Sequence, residues 1–433
     1  MSRSIDGSSD EPKRSESTPR LPVLDVVPEL AEVLRAGSSA VVTAPPGTGK
    51  STAMPCGLLD RLRGRLFVTQ PRRLAARMLA SRSAGLRGTR IGEDVGYAVR
   101  GERRSSRSTR LLYLTEGLLL RRLLVGDGGP DPDDVVILDE FHERSIDADL
   151  LLGVLRDRGV RVVVASATLD AALVSESLEA PMLSVESRLH PVDVIHRKAP
   201  SGDPPWDLAA EALARLLEEA PDDEGDVLVF MPGRREIDRT IEACRRIGRG
   251  LDLRPLHGGL TAREQDLAVS PHGPRRVVVA TNIAETSLTI PRVTTVVDSG
   301  LARVDRFDPG RDLAGLVTEP IDRASAEQRT GRAGRVGPGR CVRLYTESEF
   351  RRRTPERTPA TARADLADAF LRLHAAGLDP RTFPWIQSPP PESVDHARRT
   401  LESIGAVSGG RPTAVGRRMA MLPIPPRVAR FLL

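Results

Sequence analysis

The sequence predicts an α/β fold: two tandem domains, each built on a parallel β-sheet, then a small, mostly helical, winged-helix-like domain. Three observations carry this expectation. Short, β-branched, almost uninterrupted apolar runs alternate with segments of helical spacing, as in parallel sheets buried on both faces. The series occurs twice, with a Pro/Gly-rich breaker, APSGDPPW (199–206), near the junction. Beyond residue 355 the alternation gives way to two helical stretches, short strand signals and a turn.

Composition sets the outer bounds. At roughly 150 residues per domain, 433 residues allow about three domains. A hydrophobic content of 39% beside 28% charged residues excludes a mainly disordered chain. The net charge of +5 is mildly basic and unlike a histone-type tail. No stretch approaches 18 uncharged apolar residues, so no membrane span is expected. Residues 1–21 are polar, lack an apolar signal-peptide core and read as a disordered tail, which makes the cytoplasm the expected location. Cys56, Cys244 and Cys341 are widely spaced, with no CxxC pair, and are expected as reduced, buried thiols. Only three of the 64 basic residues are lysines, so Lys50 stands out in a chain that otherwise uses arginine.

The first domain spans residues 22–186, with strands at SAVVTA (39–44), RLFVTQ (65–70), RLLYLT (110–115), DVVILDE (134–140) and VRVVVASAT (160–168). The segment PRRLAARMLASRSAGL (71–86) between them has helical spacing. The second domain, 187–352, repeats the pattern with DVLVFMPG (226–233), LRPLHG (253–258), RVVVATN (276–282), VTTVVDSG (293–300) and RCVRLYT (340–346). In the third, 355–433, helices at 360–378 and 392–407 precede SGGRPTAVGRRMAML, the order of a winged helix.

Three constellations carry chemistry. The first strand runs into APPGTGKST, Ala44 to Thr52, a Gly-rich turn leading to a helix. The turn from Pro46 through Gly47, Thr48, Gly49, Lys50, Ser51 and Thr52 would cradle phosphates, its backbone N–H groups from Gly47 onward donating with the aid of the helix dipole. Lys50 would reach the β/γ-phosphates and the Ser51 hydroxyl would ligate Mg²⁺. Second, the strand DVVIL ends in Asp139 and Glu140, at the sheet edge where open α/β folds place ligands. Asp139 can hold Mg²⁺ through its water shell and Glu140 can deprotonate an attacking water. Third, QRTGRAGR (328–335) places Arg329, Arg332 and Arg335 at threefold spacing, with no carboxylate from Gln328 to Thr346. Arginine forks suit the spread charge of a phosphoryl transition state, and the second domain has no phosphate loop of its own, which implies a site completed between two halves.

In order, GTGKST, TQPRRLAAR (69–77), TEGLLL (115–120), DEFHER, SAT (166–168), TNIAETSLTI (281–290) and QRTGRAGR resemble the motifs of DEAH-box superfamily 2 ATP-dependent helicases, in the N-terminal helicase part of their bacterial HrpB-type branch. The resemblance runs from about residue 22 onward. It accommodates Phe141 where the box commonly has alanine. It implies two RecA-like domains with ATP, or another nucleoside triphosphate, and Mg²⁺ in the cleft. By position, Gln328 would orient the water, Arg332 and Arg335 would be arginine fingers, and His142 would couple the nucleotide to the second domain, as would Ser166 and Thr168. Arg72, Thr115, Glu116, Thr281 and Thr286 match positions that grip a sugar-phosphate backbone, a mode that positions a strand without reading its sequence. The implied partner is single-stranded RNA, with DNA left open, and no protein partner is read.

Further segments complete the reading. RGERRSSRSTR (100–110) fits both a loop near the bound strand and a solvated charge run. The stretch 302–320 has the turn Asp-Pro-Gly-Arg between strand-like runs, where the family has a strand-separating hairpin and an ordinary hairpin also fits. REQDLAVSP (263–271) lacks the aromatic that often sandwiches the base in this family, and no glutamine motif precedes the phosphate loop, so weak base selectivity is expected. HrpB-type proteins continue well past the point where this sequence stops. The leading expectation is an RNA translocase or helicase; the alternative is an ATP-dependent clamp that holds a strand without processive unwinding.

Overall fold

Continuous Val/Ile/Leu runs have no polar face to offer water, so they form central strands covered by helices on both sides. The computed structural model describes residues 21–433 apart from 46, 127, 167–170, 187–189, 198–201, 221–223, 248–249, 271, 286–289 and 309–312. The N-terminal tail, Pro46, Thr168 and Thr286 thus lie outside the described residues.

The first sheet comprises β1 (Ala40–Thr43), β2 (Leu66–Gln70), β3 (Val95–Val99), β4 (Glu102–Arg104), β5 (Leu111–Thr115), β6 (Val135–Leu138), β7 (Arg161–Ser166) and β8 (Met182–Ser184). Its order is β4-β3-β5-β2-β6-β7-β1-β8, parallel throughout except for the edge pair β3–β4. Helices α1 (Val27–Arg35), α2 (Ala53–Leu59), α3 (Arg73–Arg87), α4 (Glu116–Val125), α5 (Ile146–Asp157) and α6 (Ala171–Leu178) connect and cover it. All five expected strands form, each shorter than its apolar run. The sequence reading passed over β3, β4 and β8. VGYAV is fully buried yet carries Gly and Tyr in place of a β-branched run, and β4 is an exposed three-residue edge.

The second sheet holds β9 (Val192–His196), β10 (Asp226–Phe230), β11 (Asp252–Leu256), β12 (Arg276–Ala280) and β13 (Val293–Asp298), followed by an antiparallel hairpin of β14 (Leu301–Asp308) and β15 (Leu313–Pro320), and then β16 (Gly339–Arg343). The order is β11-β12-β10-β13-β16-β9, all parallel, the RecA-like layout that the motif resemblance implies. Helices α7 (Pro205–Glu219), α8 (Arg234–Arg245), α9 (Ala262–Ala268), α10 (Arg323–Thr330) and α11 (Glu347–Arg352) belong to this half. Across the junction, Leu74 of α3 is buried in the same cluster as Leu228 and Phe230, and Arg77 bonds Asp266 at 3.1 Å.

The C-terminal region is α12 (Ala367–Ala375), α13 (Pro391–Ser403), a short hairpin of β17 (Val407–Ser408) and β18 (Arg411–Pro412), α14 (Ala414–Ala420) and α15 (Pro426–Leu432). It shares one apolar core with the first domain: Phe370, Phe383 and Leu401 pack with Leu119, Leu151 and Leu155. Gly153 of α5 is what admits the Phe383 ring, since a Cβ there would lie 2.3 Å from its Cζ. Arg372 closes the seam on Asp147 at 2.9 Å. Among the described residues no helix is long and apolar enough to cross a membrane.

Candidate active site

The phosphate loop follows β1. Gly47 and Gly49 take φ of +88° and +93°, a region costly for residues with a Cβ. A Cβ on Gly49 would sit 2.9 Å from Leu21 Cδ1, whereas one on Gly47 would meet nothing within 4 Å. The loop is thus backed by protein on one side and open on the other. The following helix starts at Ala53, so Lys50, Ser51 and Thr52 lie in turns before it. Pro55 explains this: it has no N–H for the Ser51 carbonyl and is tolerated only in a first turn. Tyr113 Oη instead donates to Ser51 O at 2.8 Å.

Asp139 and Glu140 follow β6. Glu140 has φ 54° and Arg144 φ 47°, with a single 3₁₀ turn, Phe141–Glu143, between them. Left-handed backbone at non-glycine residues costs of order 1 kcal/mol each and persists only where surroundings enforce it. Here Arg144 is buried in a two-pronged pair with Asp149, at 3.0 and 3.2 Å. Phe141 is buried in the core that the first domain shares with the C-terminal region.

This turn brings the carboxylates to the loop. Lys50 Nζ lies 3.9 Å from Asp139 Oδ1 and 3.5 Å from Glu140 Oε2. The Ser51 hydroxyl bonds the Asp139 carboxylate, and Gln70 Nε2 donates to its Oδ2 at 2.6 Å. Burial and the neighbouring Glu140 push Asp139 above the usual carboxylate range. Burial pushes Glu140 the same way, but Lys50, His142, Arg332 and Arg335 outweigh it and hold it low. His142 Nδ1 lies 3.5 Å from Glu140 Oε2.

The last two of those cations come from the other sheet. Arg332 is buried in the loop after α10, its guanidinium donating to the backbone carbonyl of Glu285. Burial, then Arg335, push its pKa down, and Glu140 opposes them. Burial brings Arg335 down to about 10, again opposed by Glu140. Gln328 near the end of α10 lines a narrow polar crevice with His142, Glu143 and Asn282. Ser166 ends β7 beside Thr43, its carbonyl accepting from Ala44 N at 3.2 Å.

Two arginines of these motifs find carboxylate partners in the fold. Arg329 has no carboxylate partner within 328–346, and is fully buried between Glu285 (3.0 Å) and Asp298 (2.7 Å), over the Phe230 ring. Its partners are distant in sequence, so a local scan could not find them. Arg72 bonds Glu143 at 3.0 Å and lines the same crevice as Gln328.

The other proposed strand contacts are spread out. Thr115 lines a groove of about 1300 Å³ between the first domain and the C-terminal region, together with Arg100, Arg103, Arg121 and Arg417. Glu116 beside it is buried, accepts from Ser145 Oγ at 2.5 Å, and is raised to about 8 by burial. Thr281 precedes the turn Asn282–Ala284 on the second domain. Of the basic segment 100–110, Arg110 is committed to backbone carbonyls, among them Leu62 O at 2.6 Å. Gln70 and Arg144 stand within TQPRRLAAR and DEFHER but carried no assigned part in the sequence reading, since each acts through a side-chain partner, Asp139 and Asp149.

The site has an oxygen donor set, Ser51 and Asp139, beside a lysine and an open glycine turn, which fits magnesium held through phosphate and water. Residues 209–337 match the family model of the helicase conserved C-terminal domain. The chain is 39% identical over 425 residues to the ATP-dependent RNA helicase HrpB of Escherichia coli, covering 95% of this chain and 52% of that protein. It is 37% identical to the probable ATP-dependent RNA helicase DHR2 of Saccharomyces cerevisiae, covering 95% of this chain and 59% of the relative. The crystal structure of the Escherichia coli DEAH/RHA helicase HrpB superposes with a TM-score of 0.87 at 38% identity, over 95% of this chain and 54% of that one. The chain thus spans just over half the length of these relatives.

Proposed function

We propose that this chain, similar over 95% of its length to DEAH/RHA helicases, is a member of that family and an ATP-driven RNA helicase motor, hydrolysing ATP between its two sheets to move along a single strand. One observation carries the reading: Glu140 of the first sheet sits against Lys50 and faces Arg332 and Arg335 of the second. A carboxylate held ionised beside a phosphate loop can take a proton from water, and arginines opposite can meet charge that develops on the phosphates.

In this reading Gly47, Thr48, Gly49, Lys50, Ser51 and Thr52 bind the phosphates. Ser51 and Asp139 would hold magnesium, which when bound neutralises phosphate charge. Glu140 accepts the proton of the attacking water, Gln328 orients that water, and Arg332 and Arg335 stabilise the transferring group. His142, against Glu140 and in the crevice with Gln328, links hydrolysis to the position of the second domain. Thr115 and Thr281 would hold the RNA backbone, Thr115 from the groove whose arginines suit phosphate. Domain limits at 22–186, 187–352 and 355–433 and a cytoplasmic location accompany the reading.

The test is ATP hydrolysis measured side by side with single-stranded RNA and single-stranded DNA. Turnover should rise with RNA and vanish in Glu140→Gln while nucleotide still binds. Sustained turnover in that variant would remove Glu140 from the role of base.

A further inference from the structure

Gln70 closes β2, and the functional reading above gives it no part. The parallel register pairs Thr69 with Leu138, so the next residue on each strand, Gln70 and Asp139, stand side by side at the sheet edge that carries the site. The Gln70 side chain is wholly buried. Its Nε2 donates to Asp139 Oδ2 at 2.6 Å, while Asp139 Oδ1 accepts from Glu140 N at 3.0 Å and lies 3.9 Å from Lys50 Nζ. Each carboxylate oxygen thus has its own donor, and rotation of the group about its Cβ–Cγ bond would break both contacts.

The other end of the amide is unusual. Gln70 Oε1 is buried and has no hydrogen-bond partner among the described residues. A buried carbonyl left in this state costs on the order of 1–3 kcal/mol. A residue serving only to fill the core would more cheaply be leucine or methionine. An amide is useful here because it donates to a carboxylate without carrying charge, and so leaves the negative charge of Asp139 available to a cation. Its free oxygen is an acceptor of the kind that a metal-bound water satisfies.

We propose that Gln70 is a positioning residue for magnesium: it fixes the Asp139 carboxylate in the orientation that engages the metal's water shell, and offers Oε1 to a water of that shell. The proposal rests on the reading of Asp139 as metal-supporting. Groups that orient a metal-supporting ligand typically contribute 10- to 100-fold to metal affinity. Gln70 therefore acts on the magnesium-dependent part of nucleotide binding and not on the part supplied by Lys50 and the loop amides.

A fluorescent ATP analogue, titrated onto the purified chain in EDTA and across a magnesium series, separates the two parts. Gln70→Leu removes the donor; Gln70→Glu keeps the shape but sets a second carboxylate against Asp139. Both should raise the magnesium concentration at half-effect by about 10-fold or more, with nucleotide affinity in EDTA within about twofold of wild type. A magnesium midpoint unmoved in both variants overturns the proposal. So does an equal loss in EDTA and in magnesium, which would make Gln70 a loop-packing residue. Wild-type chain that binds no nucleotide under either condition would overturn the site reading itself, and this inference with it.

Discussion

Replacing Arg329 by leucine separates the arginine that holds QRTGRAGR in place from the two that face the first sheet. Arg329 is fully buried, with Nε 3.0 Å from Glu285 Oε2 and Nη1 2.7 Å from Asp298 Oδ1. The two carboxylates, with their hydrogen bonds, hold its pKa above the ordinary arginine value despite burial, which alone would lower it. Leucine would fill much of the volume over Phe230 but leave Glu285 and Asp298 buried without their cation. Breaking a buried pair by removing one partner costs roughly 3–5 kcal/mol. Asp298 retains donors from Tyr345 Oη and Gly300 N, both at 2.9 Å, which favours the lower end of that range, about 3 kcal/mol. For a domain of 150–250 residues each kcal/mol moves the melting temperature by about 2–4 °C, so thermal unfolding should shift down by about 6–12 °C. The control is Arg303→Leu, which breaks a partly exposed pair with Glu236 at 3.5 Å and should cost less than about 1 kcal/mol. Equal melting temperatures for the two variants would refute the view that Arg329 anchors the loop.

Three further outcomes follow from particular contacts. Gly153→Ala places a Cβ 2.3 Å from Phe383 Cζ and should cost about 1–3 kcal/mol by overpacking, read as a lower urea midpoint; an unchanged midpoint would contradict the docking of the C-terminal region. Glu116 has its folded pKa raised by burial from 4.5 to about 8, so its neutral form belongs to the fold: the stabilisation is full below about 4.5 and is lost as pH rises through 8. The stability advantage of Glu116→Gln over wild type should therefore grow between these two pH values and then level off, and a gap independent of pH would contradict the burial of an ionisable acid there. With α9 and its flanks free of aromatic residues, GTP and ATP should be hydrolysed at rates within about tenfold, or about 1.4 kcal/mol, and a much larger preference for ATP in steady-state turnover would reveal a base-reading group elsewhere.

What could be read from the sequence was what is local. β1, β6 and β10 are built on the apolar runs AVV, VVIL and VLVF, and APPGTGKST carries its chemistry within nine residues. The structure adds what depends on pairs brought together by folding. Pro55 sets the helix start, but only Tyr113, from β5, shows where the released Ser51 carbonyl goes. Arg329 and Arg332 look alike in QRTGRAGR, yet one is neutralised by Glu285 and Asp298 while the other faces Glu140. Arg72 stands in a motif read as a strand contact and is claimed by Glu143, which lies 71 residues away. β3 escaped because a strand buried by its neighbours needs no β-branched signature.

The question that matters most is whether Arg332 completes a hydrolytic cleft or belongs to a basic surface. Arg332→Ala, assayed for ATP turnover, nucleotide affinity and RNA affinity on one preparation, answers it. If Arg332 meets the phosphates across the cleft, turnover should fall on the order of 10³-fold, nucleotide affinity far less because Lys50 and the loop bind from the first domain, and RNA affinity without nucleotide hardly at all. Strongly weakened RNA binding with basal turnover intact would contradict this, and would leave the cleft to be completed by some other group.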